Sequence, residues 1–305
     1  MEFEAYAQFN HELNSKRVIV IGENHFMEAN YIIQAELYMH VHKYFGVKNL
    51  LIEYGRAEAI LYNQYLKTGK REYLEKTSPG MSNHDQFFRN WLKLFEYNSH
   101  LNEEDKFMVH GIDFEREPSL SFVVNELLSS YSNHPNIQAI RKALRIRLDT
   151  IGIWRDTKSH MTYLRKELED IYFTDSLNAY YIDYILKNNS YKSSLNDRNK
   201  IMLETFLEID SSEEKYLAQL GLVHTMLNSV TSFTALLNQE PKYKDSIFVA
   251  NMYKVDSKRK SALNEISECP VVLCCFDQTT GYGQRGQWAI ILKDQPSYPP
   301  PKNMN

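Results

Sequence analysis

Cysteine is scarce in this chain of 305 residues: Cys269, Cys274 and Cys275 are the only three, all near one end. An odd, late cluster makes no disulfide framework and fits reduced thiols in a cytoplasmic protein. Cys274 and Cys275 fall in the apolar run 270–276. Adjacent strand side chains point to opposite faces, so they read as buried strand residues rather than a reactive pair. No apolar run approaches the roughly 18 residues that a membrane helix needs. The acidic start Met1-Glu2-Phe3-Glu4-Ala5 does not read as a secretory signal. The net charge is −4 with no basic stripe, so neither a membrane nor a nucleic acid is expected as a partner. Internal repeats are missing too, which excludes a solenoid. So are the His-Glu-x-x-His helix, the Gly-x-Ser-x-Gly elbow, the P-loop and the Cys-x-x-Cys pair, which argues against standard zincins, serine hydrolases and nucleotide-binding loops.

What the chain does have is ordinary globular material, 43% hydrophobic and 24% charged, with 21 tyrosines. That suffices for one α/β domain over residues 1–305. Residues 17–21 (Arg-Val-Ile-Val-Ile), 48–54 and 106–112 read as strands, with helices over 27–45, 57–67 and 85–97 between them. This alternation is the mark of right-handed parallel crossovers. Residues 119–189 turn almost wholly helical and read as a helical insertion or lid, with a polar return linker at 190–194. A helix at 197–208, a strand at 215–221 and a helix at 232–239 follow. The strands at 246–253, 271–276 and 288–292 lack helices between them, so antiparallel pairing at a sheet edge is expected. The glycine-rich stretch 279–286 reads as a hairpin loop, and the proline-rich tail 296–305 as irregular. The fold class is therefore α/β, three-layered, with a mixed, mostly parallel central sheet flanked by helices.

In such sheets ligands bind beyond the carboxyl ends of the strands. Four strands end in residues suited to chemistry. The first ends in Gly22-Glu23-Asn24-His25, the second in Glu53-Tyr54-Gly55-Arg56. The third ends in His110-Gly111-Ile112-Asp113-Phe114-Glu115-Arg116, the fourth in Gly221-Leu222-Val223-His224. A histidine near neutral pKa can take a proton from water or bind a metal. Glu53 directly follows three apolar residues, where a carboxylate needs a partner, a metal or water. Asp113 can orient a histidine, while Glu115 and Arg116 read equally as a surface pair. Arg56, Arg198 and Asn199 can hold a substrate carbonyl or phosphate.

The ordered set resembles the superfamily that joins the erythromycin esterase-like, Tiki/TraB and ChaN-like haem-binding proteins. The resemblance rests on Gly22–His25, Glu53 and Gly221–His224, with echoes in Trp91 and Asn98, Gly111-Ile112-Asp113, and Arg198-Asn199 followed by Met202. One residue between Glu23 and His25 matches the Tiki, TraB and ChaN spacing, not that of the macrolide esterases. The resemblance implies a mixed α/β fold with helical elaborations and a polar cleft of His and Glu pairs. It implies either a metal-free esterase-type base or a metal-dependent protease.

The expected function is thus a hydrolase of an ester, amide or peptide bond, with a small molecule or peptide as substrate. His25, Glu23, Glu53 and His224 form the expected catalytic set. Arg56, Asp113, Arg198 and Asn199 are the expected substrate-holding or supporting residues. If a divalent metal is used, His25, Glu53 and His224 would hold it, and Mn, Co, Fe or Zn would suit. Two other readings remain: a haem or planar-ligand binder using Tyr54, Tyr282 and the histidines, and a toxin-like effector whose region 119–189 engages a partner.

Overall fold

The computed structural model describes residues 2–25, 27–77, 85–150, 158–188, 194–211, 213–255, 271–275 and 286–294. The 190–194 linker (apart from Ser194), the 279–286 loop (apart from Gly286), the 296–305 tail, Cys269 and Tyr282 lie outside the described residues.

In chain order the elements are α1 (Glu2–Asn14), β1 (Val18–Glu23), α2 (Glu28–Phe45), β2 (Asn49–Ile52), α3 (Arg56–Thr68), α4 (Glu72–Glu75), α5 (Asp85–Ser99) and β3 (Met108–Gly111). Then come α6 (Ser119–Leu127), α7 (Pro135–Thr150), α8 (Lys158–Leu168), α9 (Ser176–Leu186), α10 (Leu195–Ile209) and β4 (Tyr216–Gly221). The remainder is α11 (Leu222–Thr225), α12 (Phe233–Gln239), β5 (Ile247–Val255), β6 (Val271–Cys275) and β7 (Trp288–Lys293). Helix α1 has no counterpart in the sequence reading. Its Phe9 and Leu13, one turn apart, are buried, and Phe9 packs edge-on against Phe248 and Trp288.

The strands form one seven-stranded sheet in the order β3-β2-β4-β1-β5-β7-β6. The pairs β2–β3, β2–β4, β1–β4, β1–β5 and β5–β7 are parallel, and β6–β7 is antiparallel. The sheet is mixed and mostly parallel, as expected. The late strands differ from expectation: β5 and β7 run parallel, and only β6 reverses. Strand β6 lies on the outer edge and β7 inserts between it and β5, so just one antiparallel pair results. The edge position also leaves Cys275 exposed and Cys274 half-buried, where the sequence suggested burial.

Side-chain alternation splits the core between the sheet's two faces. Ile19, Ile21, Leu50, Ile52 and Leu217 pack under α1, α2 and α5. Val18, Val20, Leu51, Ala218 and Leu220 pack under α10 and α12. The alternation carries on to the strand ends and into the site. Glu23 continues the face of Ile19 and Ile21, and Glu53 continues that of Leu51. Helices α6 to α9 form a lobe with its own apolar cluster, which Ala57, Ile60 and Leu61 of α3 join to the sheet layer. Among the described residues no helix is long and apolar enough to cross a membrane.

Candidate active site

The topology makes β3, β2, β4 and β1 consecutive neighbours, and these are the four strands with polar ends. Their carboxyl ends therefore lie side by side, about 4.8 Å apart.

At the end of β1 two contacts fix the turn. Asn24 Nδ2 donates to the Met252 carbonyl at 2.9 Å, and Asn30 Nδ2 donates to the Asn24 carbonyl at 2.6 Å. Gly22 must be a glycine, since a Cβ there would sit 2.2 Å from Asn251 Oδ1 and 2.3 Å from Thr225 Oγ1. The turn presents His25, whose Nδ1–H donates to Glu23 Oε1 at 3.0 Å. The imidazole is 44% exposed and the Glu23 side chain 15%. The hydrogen bond it donates to Glu23 raises the His25 pKa above its ordinary 6.5. Burial opposes it, the charges of Glu23 and Glu53 add to it, and Arg116 subtracts. Nε2 turns toward Gly221: a Cβ on Gly221 would lie 2.7 Å from it and 3.1 Å from Glu53 Oε2. The two glycine motifs thus interlock. The missing side chain of the second makes room for the histidine of the first.

The other sheet face carries a denser network. Glu53 Oε2 accepts the Gly221 N–H at 2.6 Å, and Oε1 accepts from Arg198 at 2.6 Å. Arg198 also grips Asp113 through two bonds, at 2.8 and 2.5 Å. Arg116 adds a third bond to Asp113, at 2.9 Å, and Asp113 is wholly buried. His224, also wholly buried, donates from Nδ1 to Asn199 Oδ1 at 2.5 Å and sets Nε2 3.3 Å from Glu53 Oε1. Burial alone would raise the Glu53 pKa. Contact with His224, and the charges of His224, Arg198 and His25, hold it well below the usual carboxylate range.

Six of the predicted residues that meet here on the two faces are Glu23, His25, Glu53, Asp113, Arg198 and His224, and Asn199 braces His224. Arg56 is elsewhere. As the first residue of α3 it is carried toward the helical lobe, where it is 2% exposed, bonds the Tyr184 carbonyl and Glu208, and stacks on the Tyr184 ring. His110 is also outside the cleft, bonded to Asn49 Oδ1, and burial lowers its pKa to about 4.

Sequence reasoning missed three supporting residues. Arg116 read as a surface charge, yet it is 6% exposed, with its guanidinium over the rings of Tyr54 and Phe114. Glu115 accepts the Arg56 and Ala57 N–H groups at the start of α3 and the Asn188 amide at the end of the lobe. Burial raises its pKa to about 7 against these bonds. Gln219, on β4, donates to Glu23 Oε2. The available signals were a dense charged run after a strand end and a lone amide within an apolar strand.

The three side chains named for a divalent metal each have protein partners already: Glu23 for His25, Arg198 and Gly221 for Glu53, Asn199 for His224. Each Glu53 oxygen already accepts a hydrogen bond, one from Arg198 and one from the Gly221 N–H. Among the described residues no group of three or more His, Cys, Asp or Glu side chains is set to hold a metal ion. For haem, Tyr54 offers a ring already covered by Arg116, 4.4 Å from its centroid.

No protein-family profile and no curated protein matches the chain. Solved structures do. A succinoglycan biosynthesis protein superposes with a TM-score of 0.61 at 13% identity, over 98% of this chain and 93% of its own. A Bacillus cereus protein gives 0.60 at 11%, over 94% and 90%. An erythromycin esterase variant in its open conformation gives 0.51 at 11%, over 96% of this chain and 79% of its own. The chain has the erythromycin esterase-like fold. The resemblance carried by the ordered motifs therefore holds at the level of architecture. At these identities the erythromycin esterase-like fold says nothing of the substrate, and the chemistry rests on the residues themselves.

Proposed function

We propose that the protein is a hydrolase of an ester, amide or peptide bond, with His25 as general base. One observation carries the reading. Glu23 commits Nδ1–H of His25, so Nε2 is the nitrogen that can take a proton, and it faces the space over Gly221 beside Glu53. A water there would lose a proton to Nε2 as its oxygen bonds the carbonyl carbon. The tetrahedral adduct would collapse with cleavage of the ester or amide bond. The imidazolium then returns its proton to the departing oxygen or nitrogen. Glu53 borders the same space, His224 sets Nε2 against it, and Arg198, itself held by Asp113, keeps Glu53 in place. The fold of a known esterase supports this reading without deciding the bond attacked.

The test is a panel of activated esters, anilides and peptides given to the purified protein. Turnover is expected on at least one class, with His25→Ala lowering it roughly 10²–10⁴-fold. Dialysis against a chelator should leave the rate unchanged, because the step as proposed uses the His25 imidazole as its base. Full activity in His25→Ala would overturn the proposal.

A further inference from the structure

Strand β4 is buried along its whole length and reads Tyr-Leu-Ala-Gln-Leu-Gly. One side chain in it breaks the apolar pattern. A primary amide inside the sheet is costly unless it is hydrogen-bonded, and Gln219 is 6% exposed. Its register explains its partner. Gln219 lies opposite Ile21 on β1 and Ile52 on β2, on the α2 face with Leu217. Glu23 is two residues beyond Ile21 on that same face, the diagonal neighbour within reach of a long side chain. Gln219 Nε2 donates to Glu23 Oε2 at 2.5 Å, and a longer contact of 3.4 Å reaches the Asn30 carbonyl. Both of these neighbours are acceptors, so the amide is oriented with its nitrogen toward Glu23. Glu23 then has one oxygen held by Gln219 and the other by His25.

We infer that Gln219 is a positioning residue: it clamps Glu23 so that Glu23 holds His25 with the proton on Nδ1 and Nε2 toward the cleft. This rests on the reading of His25 as the base. It adds a relay from the middle strand of the site, Gln219 to Glu23 to His25, in which Gln219 touches neither water nor substrate. A neutral histidine left to itself favours the proton on Nε2, the wrong nitrogen for this task. The relay exists to reverse that preference.

The experiment is ¹⁵N NMR of the ring nitrogens in the full chain, at a pH where His25 is neutral, beside steady-state kinetics. The wild type is expected to show His25 protonated on Nδ1. In Gln219→Leu the His25 signal should move to the Nε2–H pattern, and kcat should fall roughly tenfold or more with KM little changed. Gln219→Asn keeps the amide but shortens its reach. It should give the same tautomer change, and it serves if the leucine variant does not fold. Unchanged ring signals in both variants would overturn the relay, whatever the kinetics. A changed tautomer with undiminished kcat would leave the relay standing and defeat the reading of His25 as the base.

Discussion

Among the described residues, three carboxylate–histidine pairs use the same two groups for different ends. Glu23 and His25 are 3.0 Å apart, with the ring 44% exposed. Glu53 and His224 are 3.3 Å apart, with the ring 1% exposed and the carboxylate gripped by Arg198. Glu117 and His160 meet at 2.6 Å inside the helical lobe, both side chains buried. The chemistry of each pair follows from what surrounds it. The first keeps an edge toward solvent and can exchange protons. The second is locked into a charge network, and its carboxylate stays ionised. The third joins the segment after β3 to α8, a tie between the strand ends and the lobe. Asn188 makes a second such tie, donating to the Asp113 carbonyl and to Glu115. Such ties anchor the lobe to the segment that follows β3.

The largest effect expected is that of Arg198→Ala. It leaves Asp113 and Glu53 short of their shared cation, and breaking a buried ion pair costs about 3–5 kcal/mol. Urea unfolding should show that loss together with loss of turnover. Unaltered stability would mean the second pair is not locked as described. His160→Ala should cost about 1–3 kcal/mol, since the buried Glu117 loses its 2.6 Å hydrogen bond to His160. Here kcat per folded molecule should persist, and a selective fall in kcat with normal stability would erase the distinction between the pairs. Gly221→Ala presses hardest on the first pair, its Cβ lying 2.7 Å from His25 Nε2 against 3.1 Å from Glu53 Oε2. The added methyl pushes against the His25 ring, which has solvent to swing into, so stability should change by less than about 1 kcal/mol. Turnover should nevertheless fall roughly tenfold or more, because displacing a reacting group by an ångström is costly. An alanine variant with normal turnover would show that His25 does not work over Gly221.

Much of this arrangement was legible in the sequence because glycines mark the strand ends. Val18 to Ile21 is a β-branched run closed by Gly22, and the residues that follow a parallel strand face the ligand side. The order of strands was not legible. Nothing local to residues 215–221 says that β4 inserts between β2 and β1, and that insertion brings Gly221 under His25. Buried charge was the other blind spot. Glu115 and Arg116 read as a surface pair, yet both are buried, Arg116 on Asp113 and Glu115 on the first N–H groups of α3 and on Asn188. Arg56 misled for a related reason. It follows Glu53 closely in sequence, but Gly55 begins a helix there and the guanidinium goes to the Tyr184 carbonyl and Glu208.

The claim that Glu23 and His25 are the working pair is tested most directly by the pH dependence of kcat/KM in the wild type and in Glu23→Gln. His25 must be neutral to accept a proton, and its pKa is raised above 6.5 chiefly by Glu23. Activity should therefore be lost as pH falls through a value above 6.5, and the acid limb should shift to lower pH in Glu23→Gln. An acid limb that stays at the same pH in the variant would contradict the account.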